Sequence, residues 1–510
     1  MYRNMSKNDI LELVKQGENE FIEFKESKNS FPNDALETIS AFANTDGGII
    51  VLGIKELENG KFIIEGVDRP QKIIDDFHTK INNPGLINRN LFTNKDIEKI
   101  IIDTESAIKT IIIIHVRREA YKHRPIFLKN HPYLSYFRRG SSDIQCSAES
   151  VKAMLRDSSL EPYDNKILPK YTINDLDDTT IEQYRNKFNE LHPEHPFTKL
   201  INIDFLEKIQ AVRINRETGE VNVTVAGLLV FGKHTSIKEE IPHYNIEYIN
   251  KSGMDSNLYY KDRLIYDGTW GEDNIYNFFN KAIEKLYMSI HETSDIGEDS
   301  ITRRSSSLLK VAIREALVNS LVHCDYLAHE GILVIRYSDR FIFKNGGTLR
   351  IPTQDFFAGG YSDPRNNIIQ EIFRHIGLCE RAGSGIPKIM TAVEKNKYKY
   401  PQISVNQSSF ELILWDTSII SSENITDEKE IEIVKLAISN YVITISDVTK
   451  LLSIHRNTAS KYLNKLVEKE IFVKVKSGNE NKYSIASDEK FDKYNFVNLL
   501  KTMSEELKRN

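Results

Sequence analysis

The sequence predicts an α+β protein built from several domains. Its 510 residues are too many for one domain of about 150 residues. Hydrophobic residues make up 40% and charged residues 28%, which is the mixture of a globular chain. Short strand-like runs and helical patterns follow one another, and polar stretches at 156–178, 291–307 and 417–429 separate them. The resulting blocks are residues 1–156, 170–300, 301–416 and 427–490.

Charge and cysteine content exclude several classes of protein. The net charge of −5 excludes a uniformly basic nucleic-acid coat, so any nucleic-acid contact must come from local basic patches. Three cysteines without a CxxC pair argue against a structural zinc site or a disulfide framework and favour a reducing compartment. No apolar run approaches the ~20 residues that span a bilayer, and the first residues lack the apolar core of a secretory signal. We therefore expect a soluble, cytoplasmic protein.

The first block predicts strands and one helix around a glycine turn. The segment 21–25 (FIEFK) alternates with a period of two, as a strand does, which sets Glu23 and Lys25 on one face. Residues 33–44 have helical spacing, and TDGG at 45–48 predicts a tight turn because glycine tolerates positive φ. Two buried strands are also predicted, at 49–56 and 111–116.

Several separated pieces of this block form an ordered set: Glu18, the run Glu23-Phe24-Lys25, AFANTDGG at 41–48 with LGIKE behind it, and YFRRGS at 136–141. Together they resemble the Schlafen AlbA_2 domain, a nucleic-acid-binding module. The similarity covers about residues 10–155. The resemblance implies an AlbA_2/Schlafen-like fold at 1–156 and nucleic-acid binding.

The same resemblance implies a candidate nuclease centre. In Schlafen ribonucleases three acidic residues bind a divalent metal; here they correspond to Glu18, Glu23 and Glu56, with Lys25 near the scissile phosphate. Clustered carboxylates hold Mg²⁺ or Mn²⁺, which activates water and stabilises charge on a phosphate. The alternative is that Glu23 and Lys25 form an ion pair on a solvated strand face.

Basic residues in this block are predicted to contact nucleic acid. Arginine contacts phosphate oxygens, and neighbouring aromatic rings can stack on bases. The alternative is a solvated basic face around core aromatics. The candidates are Arg117, Arg118, Lys122, Arg124, Arg138 and Arg139.

The second block contains GLLVFGKH at 227–234, which departs from the phosphate-binding pattern GxxxxGK[ST] at its last position. We reject a phosphate loop because His234 replaces the hydroxyl that would bind Mg²⁺. The run Leu228–Phe231 predicts a buried strand instead. The block is otherwise interpreted as an α/β spacer without an assigned function.

The third block places polar residues on an apolar helix face. In the helix predicted at 307–323, Glu315, Asn319 and His323 lie at i, i+4 and i+8 among apolar residues, which is costly unless they have partners. Paired strands at 332–338 and 340–344 follow, then the turn Asn345-Gly346-Gly347. Arg381 to Ile386 (RAGSGI) opens a helix, and a glycine-rich helix start suits a phosphate.

This ordered set resembles the GHKL ATPase fold over about residues 305–400. Glu315 to Asn319 corresponds to the N box, which implies that Glu315 orients water and Asn319 holds Mg²⁺, with His323 one helical turn further on. The first glycine box corresponds to Asn345 and Gly347, where Asn345 replaces the aspartate that accepts from adenine. The second corresponds to Gly383, Ser384 and Gly385, and residues 356–381 to the ATP lid. Arg365 and Lys388 are candidate phosphate contacts. The alternative is a degenerate nucleotide fold that serves as a scaffold.

The last block predicts a winged helix-turn-helix. Helical patterns at 430–440, 445–452 and 458–469 precede strands at 472–475 and 482–485 that flank the turn SGNEN. Residues 441–482 carry eight basic and four acidic side chains, a local net charge of +4 that suits phosphate contact. A dimerisation role is the alternative. The residues predicted to face the major groove are Arg456, Asn457, Thr458, Lys461 and Lys465.

These observations lead to one hypothesis and two alternatives. The first is a homodimeric, cytoplasmic, ATP-responsive DNA-binding transcriptional regulator that uses ATP and Mg²⁺. The second is a Schlafen-like, Mg²⁺- or Mn²⁺-dependent endonuclease that acts on RNA or DNA in phage or stress defence. The third is a degenerate scaffold in a larger complex.

Overall fold

The computed structural model describes residues 7–58, 60–103, 107–159, 161–253, 259–290, 301–360, 362–379, 383–396, 398–406, 408–417, 425–440, 443–477 and 480–485. The chain divides into two compact units. Unit 1 comprises residues 1–160 and 350–352, and unit 2 comprises 161–349 and 353–510. In the described ranges no helix combines the length and apolar character of a membrane span.

Unit 1 is a four-stranded sheet with helices and two hairpins. Its helices are α1 (Lys7–Gln16), α2 (Ala35–Asn44), α3 (Pro70–Ile81) and α4 (Ala148–Asp157). Its strands are β1 (Ile22–Lys25), β2 (Gly48–Leu52), β3 (Ile54–Glu56), β4 (Phe62–Ile64), β5 (Ile97–Asp103), β6 (Ile108–Val116), β7 (Tyr136–Arg139) and β8 (Ser142–Gln145). The sheet order is β1-β2-β6-β5, with β1 and β2 parallel and the other pairs antiparallel. β3–β4 and β7–β8 are hairpins.

Both faces of this sheet are buried. Ile50 and Ile112 belong to one apolar cluster and Ile49 and Ile111 to another, because successive residues of a strand point to opposite faces. The strands predicted at 21–25 and 111–116 are confirmed. The strand predicted at 49–56 is interrupted at Gly53, whose φ of +98° ends β2 and begins a new strand.

Unit 2 contains a six-stranded mixed sheet of order β13-β12-β14-β15-β17-β16. Its strands before the C-terminal part are β9 (Ile167–Leu168), β10 (Val212–Ile214), β11 (Val221–Thr224), β12 (Ile246–Asn250), β13 (Asp262–Leu264), β14 (Ile332–Arg336), β15 (Arg340–Gly346), β16 (Gln402–Val405) and β17 (Ser409–Trp415). Its helices there are α5 (Asp178–Leu191), α6 (Asn202–Lys208), α7 (Val225–Phe231), α8 (His234–Glu240), α9 (Ile275–Met288), α10 (Ile301–Val322), α11 (Thr353–Ala358), α12 (Asn367–His375) and α13 (Gly385–Asn396).

The boundary predicted at residue 301 cuts through this sheet. β12 and β13 precede that residue, yet β12 pairs in parallel with β14. One continuous apolar core also extends from Leu168 to Ile485. The three predicted blocks after residue 170 therefore form one compact unit, because their strands and core residues pair across the predicted boundaries.

The strand predicted at Leu228–Phe231 is wrong, since these residues lie in helix α7. Thr224 caps this helix, and its hydroxyl accepts from the N–H of Gly227 at 3.0 Å. A Cβ on Gly227 would stand 1.9 Å from the carbonyl oxygen of Ala211. Gly227 therefore lets α7 pack closely against the backbone at Ala211. Because residues 227–231 are helical, they do not form a phosphate loop.

The C-terminal part of unit 2 has three helices and a small sheet. They are α14 (Glu428–Asn440), α15 (Ile445–Leu452) and α16 (Arg456–Glu468), with β18 (Ile443–Thr444), β19 (Phe472–Ser477) and β20 (Glu480–Ile485) in the order β18-β20-β19. The three predicted helices are confirmed. Residues 478–479 of the predicted wing turn lie outside the described residues.

Candidate nucleic-acid and nucleotide sites

The two acidic residues at β1 lie close together in unit 1. Glu23 is 6% exposed; its Oε1 lies 2.9 Å from Lys25 Nζ and its Oε2 lies 2.8 Å from Arg138 Nη2. Glu18 Oε1 accepts from the N–H of Phe24 at 2.9 Å. Burial raises the pKa of Glu18, and the charge of Glu23 raises it further. Each carboxylate oxygen of Glu23 therefore already contacts a cationic side chain.

Lys25 is held by two carboxylates, Glu23 and Asp34. The Asp34 oxygen lies 2.8 Å from its ammonium. Burial acts to lower the pKa of Lys25, but the hydrogen bonds to Asp34 and Glu23 outweigh it and raise that pKa to about 12. Lys25 therefore stays protonated and paired with Glu23 and Asp34.

The third predicted metal ligand, Glu56, is exposed at the end of β3. Within the described ranges, no three histidine, cysteine or acidic side chains converge closely enough to hold a metal ion. The structure brings Glu18 and Glu23 together and does not assemble Glu18, Glu23 and Glu56 into one metal-binding cluster.

Arg138 lies in the interior of unit 1, contrary to its predicted role as a nucleic-acid contact. Its side chain is 1% exposed. Its guanidinium donates to the carbonyls of Asn19 and Ile22 and pairs with Glu23 and Asp143, each closest contact being 2.8–3.1 Å. Because all of these partners belong to unit 1 itself, Arg138 has a structural role: it links β7 to β1.

Arg124 is buried as well, and its Nη1 donates to the carbonyl of Asn44 at 3.2 Å. Arg118 pairs with Asp46 at 2.8 Å and Arg117 with the buried Asp96 at 2.6 Å. The remaining candidates of unit 1, Lys122 and Arg139, are exposed. The basic cluster predicted from the sequence is thus largely neutralised or buried, and only part of it faces solvent.

The predicted N box and second glycine box meet in unit 2. α10 packs against α13. A Cβ on Gly385 would stand 3.1 Å from Glu315 Oε2 and 3.2 Å from Asn319 Nδ2. The backbone at the start of α13 therefore lies directly against the polar stripe of α10, a close approach that glycine permits.

Glu315 is 4% exposed and has two cationic neighbours. Lys388 Nζ lies 3.2 Å from its Oε1, and Arg314 Nη2 lies 3.5 Å away. Lys388 lies in the first turn of α13, and its N–H donates to the carbonyl of Ser384 at 3.1 Å. The structure thus pairs Lys388 with Glu315, the glutamate that was predicted to orient water. Arg381 and Ala382, also part of the predicted glycine box, lie outside the described residues.

The predicted first glycine box is covered by Arg365. Its Nη1 donates to the carbonyl of His323 and its Nη2 to the carbonyl of Thr348 at 3.1 Å. A Cβ on Gly347, whose φ is +89°, would stand 2.6 Å from Arg365 Nη1. Asn345 and Gly346 lie within β15 and pair with β17, so the predicted turn begins only at Gly347.

A buried carboxylate caps α12, which lies within the segment predicted to be the ATP lid. Asp164 is 0% exposed, and its Oδ2 accepts from the N–H groups of Ile368 and Ile369 at 2.7 and 3.1 Å. These groups belong to the first turn of α12, where a helix lacks internal acceptors. Asp164 could not be predicted from the sequence, because nothing in its polar surroundings indicates a distant partner.

Helix α16 presents its polar residues to solvent. Ala459, Leu463 and Leu466 are buried, whereas Arg456 and Lys461 are exposed. Asn457 and Thr458 are also exposed.

Lys465, also predicted to face a major groove, has a different partner. Glu430 of α14 is fully buried, and its carboxylate lies 2.5 Å from Lys465 Nζ and 2.7 Å from Lys469 Nζ. Burial acts to raise the pKa of Glu430, but the two lysines outweigh it and lower that pKa. Lys465 therefore helps to fix α16 against α14.

Three family models match parts of the chain. They are "Schlafen, AlbA_2" at residues 18–147, "Domain of unknown function (DUF8451)" at 152–247 and "Putative ATP-dependent DNA helicase recG C-terminal" at 329–414. Comparison with curated proteins gives no match. A similar solved structure is the DIP2311 protein from Corynebacterium diphtheriae. It is 14% identical, with 91% of this chain and 95% of that chain covered, and its TM-score of 0.41 is too low to support an argument.

Two of the three matches agree with the division into units, whereas the DUF8451 match at 152–247 crosses the boundary at residue 160. The AlbA_2 match lies within unit 1, and the recG-type match covers β14 to β17 within unit 2. Both indicate a nucleic-acid-related function. The chain therefore carries a Schlafen AlbA_2 domain followed by an ATPase-like domain of the recG C-terminal type.

Proposed function

We propose that the protein is a DNA-binding transcriptional regulator whose affinity for duplex DNA responds to ATP. The observation that carries this proposal is the solvent-exposed polar face of α16. Arg456, Asn457, Thr458 and Lys461 occupy the N-terminal half of a helix whose opposite face is buried. Residues of this kind at the start of a helix can contact base edges and phosphates in a major groove.

The order of elements supports a winged helix-turn-helix. Helix α14, strand β18, helices α15 and α16 and the hairpin β19–β20 follow one another, and β18 pairs with β20. In such a domain the third helix is the one that enters the groove. Glu430 supports this role, because it anchors the C-terminal half of α16 through Lys465 and Lys469. A homodimer would present two copies of α16 to the two halves of one DNA site.

The meeting of α10 and α13 supports a nucleotide site in a GHKL-like sandwich. α10 packs against α13, α9 and the strands β14 and β15. The start of α13 provides backbone N–H groups that suit a phosphate, and Gly385 leaves the space that a Cβ would fill beside Asn319 and Glu315. These residues suit the phosphates of ATP; Asn319 would hold Mg²⁺, and Glu315 would orient water. Bound Mg²⁺ would neutralise phosphate charge.

A metal-dependent nuclease in unit 1 is the alternative that the sequence left open. The proximity of Glu18 to Glu23, whose charge acts to raise the pKa of Glu18, favours it. The ion pairs of Glu23 with Arg138 and Lys25 count against it, because a carboxylate that is already neutralised attracts a cation weakly. We therefore assign unit 1 to nucleic-acid binding through exposed residues such as Lys122 and Arg139, with the nuclease second.

The DNA-binding proposal predicts that Arg456→Ala and Lys461→Ala weaken duplex binding. Each variant loses one contact of a charged side chain, so we expect a roughly tenfold rise in Kd for each at low salt. Fluorescence anisotropy with a labelled duplex and the full-length protein measures this. Lys429→Ala, which removes an exposed lysine from α14, is the matched control and leaves Kd within about twofold. Equal Kd values for Arg456→Ala, Lys461→Ala and Lys429→Ala would falsify the assignment of α16.

A further inference from the structure

The ion pair between Lys388 and Glu315 joins two parts of the proposed nucleotide site. Glu315 is almost completely buried, and an ionised carboxylate in such a place needs a cation. Lys388 supplies it at 3.2 Å, from a side chain that is 28% exposed. Arg314 lies slightly farther away, at 3.5 Å.

The position of Lys388 allows its ammonium to pair with either of two anions. It lies in the first turn of α13, the turn whose N–H groups suit a phosphate. A lysine is a point charge on a flexible stem, so its ammonium can move between neighbouring acceptors without movement of the helix. Glu315 is one of these acceptors in this structure. A phosphate group at the start of α13 would be the other.

We propose that Lys388 distinguishes a nucleoside triphosphate from a diphosphate, because the terminal phosphate competes with Glu315 for its ammonium. This inference rests on the proposed nucleotide site. A terminal phosphate carries about two negative charges near pH 7, against one on Glu315, so the attraction to Lys388 favours the phosphate. A diphosphate lacks that group and leaves Lys388 on Glu315. Transfer of Lys388 leaves Arg314 as the cation beside Glu315 and frees Glu315 to orient water, which happens only when a triphosphate is bound.

Because Glu315 and the phosphate compete for Lys388, substitutions of Lys388 and of Glu315 are expected to change the affinity for a triphosphate in opposite directions. Lys388→Met removes the phosphate contact, so we expect the Kd for a non-hydrolysable ATP analogue to rise roughly tenfold or more while the Kd for ADP changes less than about twofold. Glu315→Gln removes the competing charge, so affinity for the analogue rises severalfold. In the double variant Glu315→Gln/Lys388→Met that gain disappears. Lys388→Arg, which keeps the charge, retains preference for the analogue over ADP.

Isothermal titration of the full-length variants with the ATP analogue and with ADP, each with Mg²⁺, tests the inference. Thermal unfolding of each variant verifies that it is folded. An equal loss of affinity for both nucleotides in Lys388→Met would overturn the inference, as would unchanged analogue affinity in Glu315→Gln. Failure of the wild-type protein to bind either nucleotide would overturn the nucleotide site itself and this inference with it.

Discussion

Arg138→Met is expected to destabilise unit 1 by about 3–5 kcal/mol, the cost of removing one partner from a buried ion pair. The guanidinium is enclosed and holds Glu23 and Asp143 at 2.8 and 2.9 Å. Without it, Glu23 keeps only Lys25 as a cationic partner, and the carbonyls of Asn19 and Ile22 each lose one of their two donors. A buried carboxylate that loses one of its two cations and carbonyls that lose a hydrogen bond both favour the unfolded state.

Arg139→Met is the matched control, because Arg139 is the next residue of β7 and is exposed. Hydrogen exchange followed by mass spectrometry of the full-length protein measures the local stability of β1 and β7. We expect a large loss of protection in both strands for Arg138→Met and none for Arg139→Met. Equal protection in the two variants would contradict the structural role of Arg138.

Asp164→Ala is expected to lower the free energy of unfolding of unit 2 by about 2–4 kcal/mol, since two buried N–H groups of α12 lose their acceptor. The carboxylate is fully buried and also opposes the positive end of that helix. Asp164→Asn keeps one acceptor oxygen but loses the charge, so we expect an intermediate loss.

Both tryptophans, Trp270 and Trp415, lie in unit 2, so tryptophan fluorescence during urea unfolding reports this unit specifically. Glu182→Ala, which removes an exposed acid from α5, is the control and is expected to unfold at the wild-type urea concentration. A midpoint for Asp164→Ala that matches the control would show that the cap of α12 contributes little to stability.

Asp164 also shows why the boundary predicted at residue 301 does not separate two compact units. Asp164 precedes the second predicted block, yet it caps a helix in the third, and β12 pairs with β14 across the boundary at residue 301. Periodicity reports the environment of neighbouring residues and carries no information on such distant partners. Strands 22–25 and 111–116 and the three C-terminal helices could be predicted because their apolar spacing is local.

Residue type alone was also insufficient at the candidate sites. Arg138 and Arg139 are adjacent and both basic, but β7 turns one inward and the other outward. The run Leu228–Phe231 is uniformly apolar, so its pattern could not separate a buried strand from the buried helix α7. Glu315 and Asn319 were found, because polar residues on an apolar helix face predict a partner, and Gly385 and Lys388 lie beside them.

The central claim is that ATP changes the affinity of the protein for DNA. The direct test is the Kd of the full-length protein for a labelled duplex, measured by anisotropy without nucleotide, with ADP and with a non-hydrolysable ATP analogue in Mg²⁺. The proposed function predicts a change of about fivefold or more with the analogue, a coupling typical of linked sites, and a smaller change with ADP. The same Kd under all three conditions would contradict it.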